Sequence, residues 1–299
     1  MAGPAGRTGA VLSGQPTAPA WEPSAVQRER DAFRRRRTLR SALVAFASTT
    51  VLLGLAGWAV VSSPGWERVQ ETYFDWDKAV DSFPAVLDGL WLNIRVMLIC
   101  AVLILLLSLT IAVMRTVRGP VAFPLRLLGT VYVDVFRGLP LLLLLFLLGF
   151  GGPALDLAGL PRSALFWGCA ALVLSYSAYV AEVFRAGIES VHPSQRLAGR
   201  ALGLSYAQNL RLVVLPQAWR RVLPPLMNDL VSLQKDSGLI AVLGVVDAIQ
   251  AARIETAKDF NYTPYVVAGF LFICLTIPMA RATDWFARKQ GFHGAGGML

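Results

Sequence analysis

Apolar residues in this chain gather in long uncharged runs, not in the alternation of half-buried strands or the one-sided stripe of soluble helices. A helix needs about 20 residues to cross roughly 30 Å of hydrocarbon. Five runs meet that length with ease: 41–63, 89–114, 128–150, 164–184 and 262–281. Ahead of the last run, the only uncharged apolar piece of any length is "SGLIAVLGVV" at 237–246. Such a piece reaches about 15 Å as a helix, half a membrane. A further crossing therefore has to begin near Leu223 and carry Asp229, Lys235 and Asp236 within it. The pattern predicts an all-α polytopic membrane protein with six transmembrane helices.

Charge supports that count. With six crossings, one side receives the arginine-rich N-terminal arm, 115–126 with Arg115, Arg118 and Arg126, the segment 185–221, and the tail. Segment 185–221 sets Arg185, Arg196, Arg200, Arg211, Arg220 and Arg221 against Glu189 alone. The opposite side receives 64–88, rich in Asp and Glu, and the nearly neutral 151–163 and 247–261. Excess Lys and Arg marks cytoplasmic loops, so both termini are expected inside. Five crossings would break this sorting.

Composition narrows the class. Only 16% of the 299 residues are charged and 55% are hydrophobic, whereas a soluble domain carries about 25% charge. The net charge of +9 comes without a basic stripe interleaved with aromatics, so it points to topology and not to nucleic acid. Residues 1–38, rich in Gly, Pro, Ala and Arg, are expected to be a disordered basic cytoplasmic tail. The apolar run after them is longer than the roughly 7–15 residues of a cleavable signal core and reads as an uncleaved first span. Cys100, Cys169 and Cys274 lie apart inside apolar runs and read as free packing residues. His192 and His293 are too few and too separated for a metal site. The piece "YFDWDKAVDSF" reads as a surface-lying segment before span two, and Trp58, Trp66 and Trp76 as an interfacial belt.

One basic insert interrupts the apolar pattern. Residues 194–217, "SQRLAGRALGLSYAQNLRLVVLPQ", hold two short helical pieces separated by "LGLS". Ala198, Ala201 and Leu202 make a small apolar face on the first, with Arg196 and Arg200 beside it. Gly203 suits a left-handed helix end. Leu210, Val213 and Val214 make the next face, and Pro216 stiffens its end. Composition alone would also allow an ordinary loop resting on headgroups.

The order of residues is more specific. The insert resembles the EAA loop of ATP-binding-cassette (ABC) importer permeases, the inner-membrane component of binding-protein-dependent transport, which has the MetI-like fold. Leu197-Ala198-Gly199 occupies the EAA position, Gly203 the glycine, and Val213-Val214-Leu215-Pro216 the end. "RGLP" at 137–140, "AYVAEVFR" at 178–185, "VLPQA" at 214–218 and "KDSGL" at 235–239 are each similar to signatures of the polar amino acid (histidine/glutamine-type) branch. The likeness runs over about 85–286, in order and at matching spacing. Two departures stand out: the loop's leading glutamate is Leu197 here, and its second alanine is Gly199. The branch's acidic residue after the fifth span is the shorter Asp247.

The resemblance implies a permease core over 85–286, preceded by a first helix and external segment (39–84) and followed by a cytoplasmic tail (287–299). It implies a coupling helix between spans four and five, made of Arg196, Leu197, Ala198, Gly199, Arg200, Ala201, Leu202 and Gly203. The implied partners are an ABC ATPase dimer, a second permease copy or a sister permease, and an extracytoplasmic amino acid-binding protein, at a bacterial cytoplasmic membrane. No cofactor is expected in this chain. Lys78, Lys235, Lys258 and Lys289 all lack the preceding glycine of a P-loop, so ATP and Mg belong to the partner, and no catalytic residue is expected.

Charges inside a membrane cost about 2.5–3.5 kcal/mol each on insertion scales and face a partner or a wet cavity. Arg95 lies near a span end, where it can snorkel. Asp134 with Arg137, and Glu182 with Arg185, stand at i,i+3 and can satisfy one another. The transport reading places the pathway of a zwitterion among Asn93, Arg137, Tyr179, Glu182, Lys235 and Asp236. Carboxylates would meet the ammonium group, while Arg137 or Lys235 would meet the carboxylate. Gly138-Leu139-Pro140 is placed to break the third helix there. Structural pairing between helices is the competing account, and Asn93 suits packing as well as binding. A stand-alone secondary transporter or channel is the rival function, separated from the first by the ordered pattern of the insert. No HExxH or GxSxG favours a membrane enzyme.

Overall fold

The computed structural model describes residues 24–117, 119–156 and 158–289. Residues 1–23, Arg118, Leu157 and 290–299, with His293 among them, lie outside the described residues. Every regular element among the described residues is helical. Hydrocarbon offers the backbone no partner, and a helix pairs its peptide groups within one segment.

The chain divides into two compact units, 1–66 and 67–299. The first contains α1 (Ala25–Val61), N-capped by Ser24, whose hydroxyl accepts from the Gln27 N–H at 3.3 Å. The helix therefore covers 25–38, where disorder was expected; residues 1–23 are not described. Arginine is a good helix former, and a helix nucleated in the apolar half extends backward at one hydrogen bond per residue.

Next come α2 (Trp66–Tyr73) and α3 (Trp76–Thr116). Asp75 caps α3 by accepting from the Lys78 N–H at 3.1 Å. Most of the segment expected to lie separately before span two is thus the first turns of α3. Its buried residues, including Val86, Leu90, Asn93, Met97, Cys100, Ile104 and Ile111, recur every three or four positions and form one inward stripe. The rest of the surface is equally apolar, and that uniformity hides the stripe in the sequence.

The third predicted span is two helices, α4 (Phe123–Gly138) and α5 (Leu141–Ala154), inclined at 104°. Leu139 is extended ahead of Pro140, as a pre-proline residue prefers, so the expected break falls at that tripeptide. Helix α6 (Ala164–Glu189) is continuous. The insert folds as α7 (Pro193–Ala201) and α8 (Tyr206–Asn209). A π turn over Leu210–Val214 leads into α9 (Leu215–Asp236) and a 3₁₀ turn over Ser237–Leu243. Pro216, expected to stiffen the end of the second helical piece, lies at no helix end. It sits one residue into α9, past a widened turn in which the Leu215 N–H reaches back to the Leu210 carbonyl, and that widening relieves the proline's clash with the preceding turn. Helical structure runs unbroken from Tyr206 to Leu243, through Leu223, where the fifth crossing is expected to begin. Gly244, at φ +79°, turns the chain by 46° into α10 (Ala248–Ala257), and α11 (Thr263–Lys289) follows.

In the second unit the main core joins α3, α5, α6 and the 3₁₀ turn through Cys100, Leu145, Leu172 and Ile240. A second cluster sets Val86 and Leu90 of α3 against Ala248 and Ala252 of α10 and Ala268 of α11. Small residues let these backbones close up. At the α2–α3 corner the Tyr262 N–H donates to the Thr72 carbonyl at 2.6 Å, and Asn261 Nδ2 to Asp75 Oδ2 at 3.0 Å. Lys78 lies 2.8 Å from Asp259 and its hydrogen bond holds that carboxyl below the usual carboxylate range. Among the described residues, four helices are long and apolar enough to cross a membrane, or up to six if each bent pair is one crossing.

Gly89 makes the closest of these approaches: a Cβ there would overlap the Asp247 carbonyl carbon, which is backbone and cannot swing away. Gly89→Ala is expected to cost about 1–3 kcal/mol by overpacking, read as a lower thermal unfolding midpoint of the purified protein. Gly138→Ala, with open space around the added carbon, should stay within about 0.5 kcal/mol.

Candidate functional site

Helix α6 carries Tyr176, Tyr179, Glu182 and Arg185 at intervals of three, so each neighbours the next while the row winds about half way round the helix. Each meets a group from elsewhere. The Tyr176 hydroxyl donates to Asp236 Oδ2 of α9 at 2.7 Å. The Tyr179 hydroxyl donates to the Arg137 carbonyl at 3.2 Å, and the Arg137 guanidinium lies 5.6 Å from the same ring's centroid. A helix that stops at Gly138 leaves its last carbonyls without amide partners, and Tyr179 satisfies one of them.

Glu182 is the hub of an ion network. It accepts from Arg115 Nη1, in the last turn of α3, at 2.9 Å, and from Arg185 Nε at 3.0 Å. Arg185 also pairs with Glu189. The Glu182–Arg185 pair forms as its spacing predicts, while Arg115 enters from 67 positions away, which local spacing could not reveal. The other expected pair does not form: Arg137 is stacked on Tyr179, and no ion pair joins it to Asp134 among the described residues. The end of α4 swings Arg137 toward α6, away from its own preceding turn.

Asn93 belongs to a different joint. Its Nδ2 donates to Asp247 Oδ2 at 3.0 Å and its Oδ1 accepts from the Ala248 N–H at 3.1 Å. Asp247 in turn caps α10 by accepting from the Gln250 N–H at 2.9 Å. None of these bonds runs to the other five pathway residues. Lys235 is exposed on α9, next to Asp236. The structure thus links Arg137 with Tyr179 and Asp236 with Tyr176 along α6, with Glu182 one turn on, and sets Asn93 apart.

Between α3, α6 and α9 lies a cavity of about 230 Å³, lined by Ile104, Tyr176, Trp219, Leu226, Asp229 and Leu233. Asp229 Oδ2 is buried there without a hydrogen-bond partner. Asp229 and Asp236, seven residues apart on α9, lie on one face about 10 Å apart along the axis, and Tyr176 touches both cavity and Asp236. The sequence marks Asp229 as an intramembrane charge but gives no sign of the cavity. Chemically the region offers acceptors for an ammonium group and, at Arg137, a cation for a carboxylate.

The insert is a built unit. His192 begins α7, its ring nitrogen accepting from the Ser194 N–H. Gly203 ends it at φ +77°, as its position predicts. Ser205 and Gln208 form a capping box on α8. Arg196 Nη2 donates to the Ile188 carbonyl of α6 at 2.6 Å, and Asn209 Nδ2 to the Arg196 carbonyl at 2.7 Å. Gly199 packs so closely on Asn209 that a Cβ would fall 2.6 Å from its Oδ1. Asn209 carries no signal in the sequence. Val191, Val214 and Ala218 close a small core beneath, and Arg221 donates to the Ser190 carbonyl. Leu197, Ala198, Arg200, Ala201 and Leu202 remain exposed.

Comparison with known proteins agrees with this geometry. The model of the family described as "Binding-protein-dependent transport system inner membrane component" matches residues 121–291. The arginine transport system permease protein ArtQ of Bacillus subtilis is 31% identical over 206 residues, 68% of this chain and 91% of that protein. The probable glutamine ABC transporter permease protein GlnM of the same organism is 33% identical over 210 residues, 70% of this chain and 94% of its own. A crystal structure of an amino acid ABC transporter with histidines superposes with a TM-score of 0.67 at 30% identity, covering 72% of this chain and 98% of that one. By fold, by insert and by these matches, the chain belongs to the family of binding-protein-dependent inner-membrane components, the permease subunits of ABC importers.

Proposed function

We propose that this permease moves a polar amino acid into the cytoplasm by alternating access, powered by a separate ABC ATPase dimer that binds ATP and Mg. The observation that carries the coupling is the insert itself: a capped helix pair tied to the end of α6 by Arg196 and continuous with α9. A loop that only fixed topology would need no such construction. The amino acid substrate is supported by relatives named for arginine, glutamine, and glutamate with aspartate transport.

Each bent pair is one crossing in this reading, giving six with both termini cytoplasmic. The chain works at a bacterial cytoplasmic membrane beside a second permease, a copy or a sister, and receives substrate from an extracytoplasmic binding protein. Substrate passes along α6, where Arg137 and Lys235 meet the carboxylate, and Asp236 with Tyr176 and Tyr179 meet the ammonium group. Glu182 shapes that route through its two arginines, and Asn93 fixes the α3–α10 wall beside it.

In proteoliposomes, uptake of a polar amino acid should require the ATPase subunit, its ATP and the binding protein; uptake by this chain alone would establish the stand-alone carrier instead. Asp236→Asn and Arg137→Gln should each lower transport by about tenfold or more, an effect of about 1.4 kcal/mol, with little change in thermal midpoint. Glu182→Gln, which leaves Arg115 without its counter-ion, should lower the midpoint as well. Unchanged uptake in the Asp236 and Arg137 variants would remove them from the pathway.

A further inference from the structure

The exposed side of α7 has its own chemistry. Gly199 faces Asn209, and Arg196 turns back to the Ile188 carbonyl, so these two positions mark the inward side. At 100° per residue, Ala201 falls opposite that side, with Leu197 on one flank and Ala198 then Leu202 on the other. The structure agrees: Leu197 is 62% and Leu202 81% exposed, and both alanines are exposed. Arg200 stands exposed at one edge of this stripe. No acidic residue occurs anywhere between Glu189 and Asp229.

We infer that the ATPase surface receiving α7 is an apolar concavity with a carboxylate rim at Arg200. A contact surface supplied with cations for a carboxylate at the head of the helix would be rejected. This rests on the reading of the insert as the ATPase-facing element and adds the character of the partner's surface. Leu197 and Leu202 stand about 140° apart around the helix with alanines between them, a face suited to a shallow apolar groove that takes one leucine on each wall. A cationic groove would meet Leu197 where the EAA pattern has glutamate, find no acid elsewhere on α7, and face Arg200 as a like charge. Such mismatch is a source of partner selection. A permease of this sort accepts its own ATPase and excludes one shaped for the glutamate-bearing loop.

The test uses the full chain in phosphatidylcholine–phosphatidylglycerol nanodiscs and its ATPase subunit, with affinity and stimulated ATP hydrolysis as readouts. Leu197→Glu should weaken binding at least tenfold, Leu197→Met should stay within about threefold, and Arg200→Glu should weaken binding and reverse its salt dependence, since salt then screens a repulsion. Substituting carboxylates near the groove of the ATPase should be rescued by no change at Leu197 but by Arg200→Glu with a reciprocal arginine. Equal or tighter binding by Leu197→Glu would overturn the inference while leaving the coupling role intact. Failure of the unaltered chain to bind any ATPase would overturn both. If the face rests on lipid, Leu197→Glu and Arg200→Glu will leave ATPase affinity unchanged, which also refutes it.

Discussion

Inside hydrocarbon a peptide group must find its hydrogen-bond partner within the protein, because no water is present to take its place. The described residues answer with helices alone, and the places where the helices stop are where polar side chains collect. The end of α4 at Gly138 frees carbonyls, and Tyr179 reaches across from α6 to one of them. The turn at Gly244 frees the first amides of α10, and Asp247 and Asn93 take them. Polar side chains thus sit beside the interruptions that a membrane helix has to repair. In the proposed function, Tyr179 and Asn93 serve both the repair and the route.

Packing in the second unit follows from residue size more than from polarity. Apolar surface covers both the inward stripe of α3 and its outward face, so hydrophobicity gives no preference for one over the other. Glycine and alanine supply it instead. Gly89 against the Asp247 backbone and the alanines of α10 draw α3, α10 and α11 together, where van der Waals contact is the main reward. Charge contributes at specific points: Glu182 joins the last turn of α3 to α6 through Arg115, and Lys78 joins the first turn of α3 to the loop before α11.

Much of this was legible from the chain in one dimension. Apolar runs located the helices, Gly203 located the end of α7, the Gly138-Leu139-Pro140 tripeptide located the break, and i,i+3 spacing located Glu182 with Arg185. What could not be read was of two kinds. Partners distant in sequence, such as Arg115 for Glu182, Asp247 for Asn93 and Tyr176 for Asp236, leave no local trace. Cooperative effects were also hidden. The arginine run of 34–37 looks too charged to order, yet it extends a helix already begun in the apolar segment after it. The π turn before Pro216 turned an expected helix end into a passage, because a widened ring accommodates a residue that a regular turn would refuse.

That passage has a mechanical meaning. From Tyr206 to Leu243 the chain is one unbroken rod, roughly 55–60 Å long at the rise of its turns. Pro216, Pro224 and Pro225 each remove an amide from its ladder, yet the helix stays continuous, so under the proposed coupling a push at its first turn would arrive at the far end as tilt. There Gly244, free of a side chain and held at positive φ, marks the 46° bend at which such a tilt would be taken up. Distance from that joint sets the gain: Asp229 and Asp236, about 26 and 15 Å from Gly244 along the helix, would sweep roughly two fifths and a quarter of a displacement applied at Tyr206.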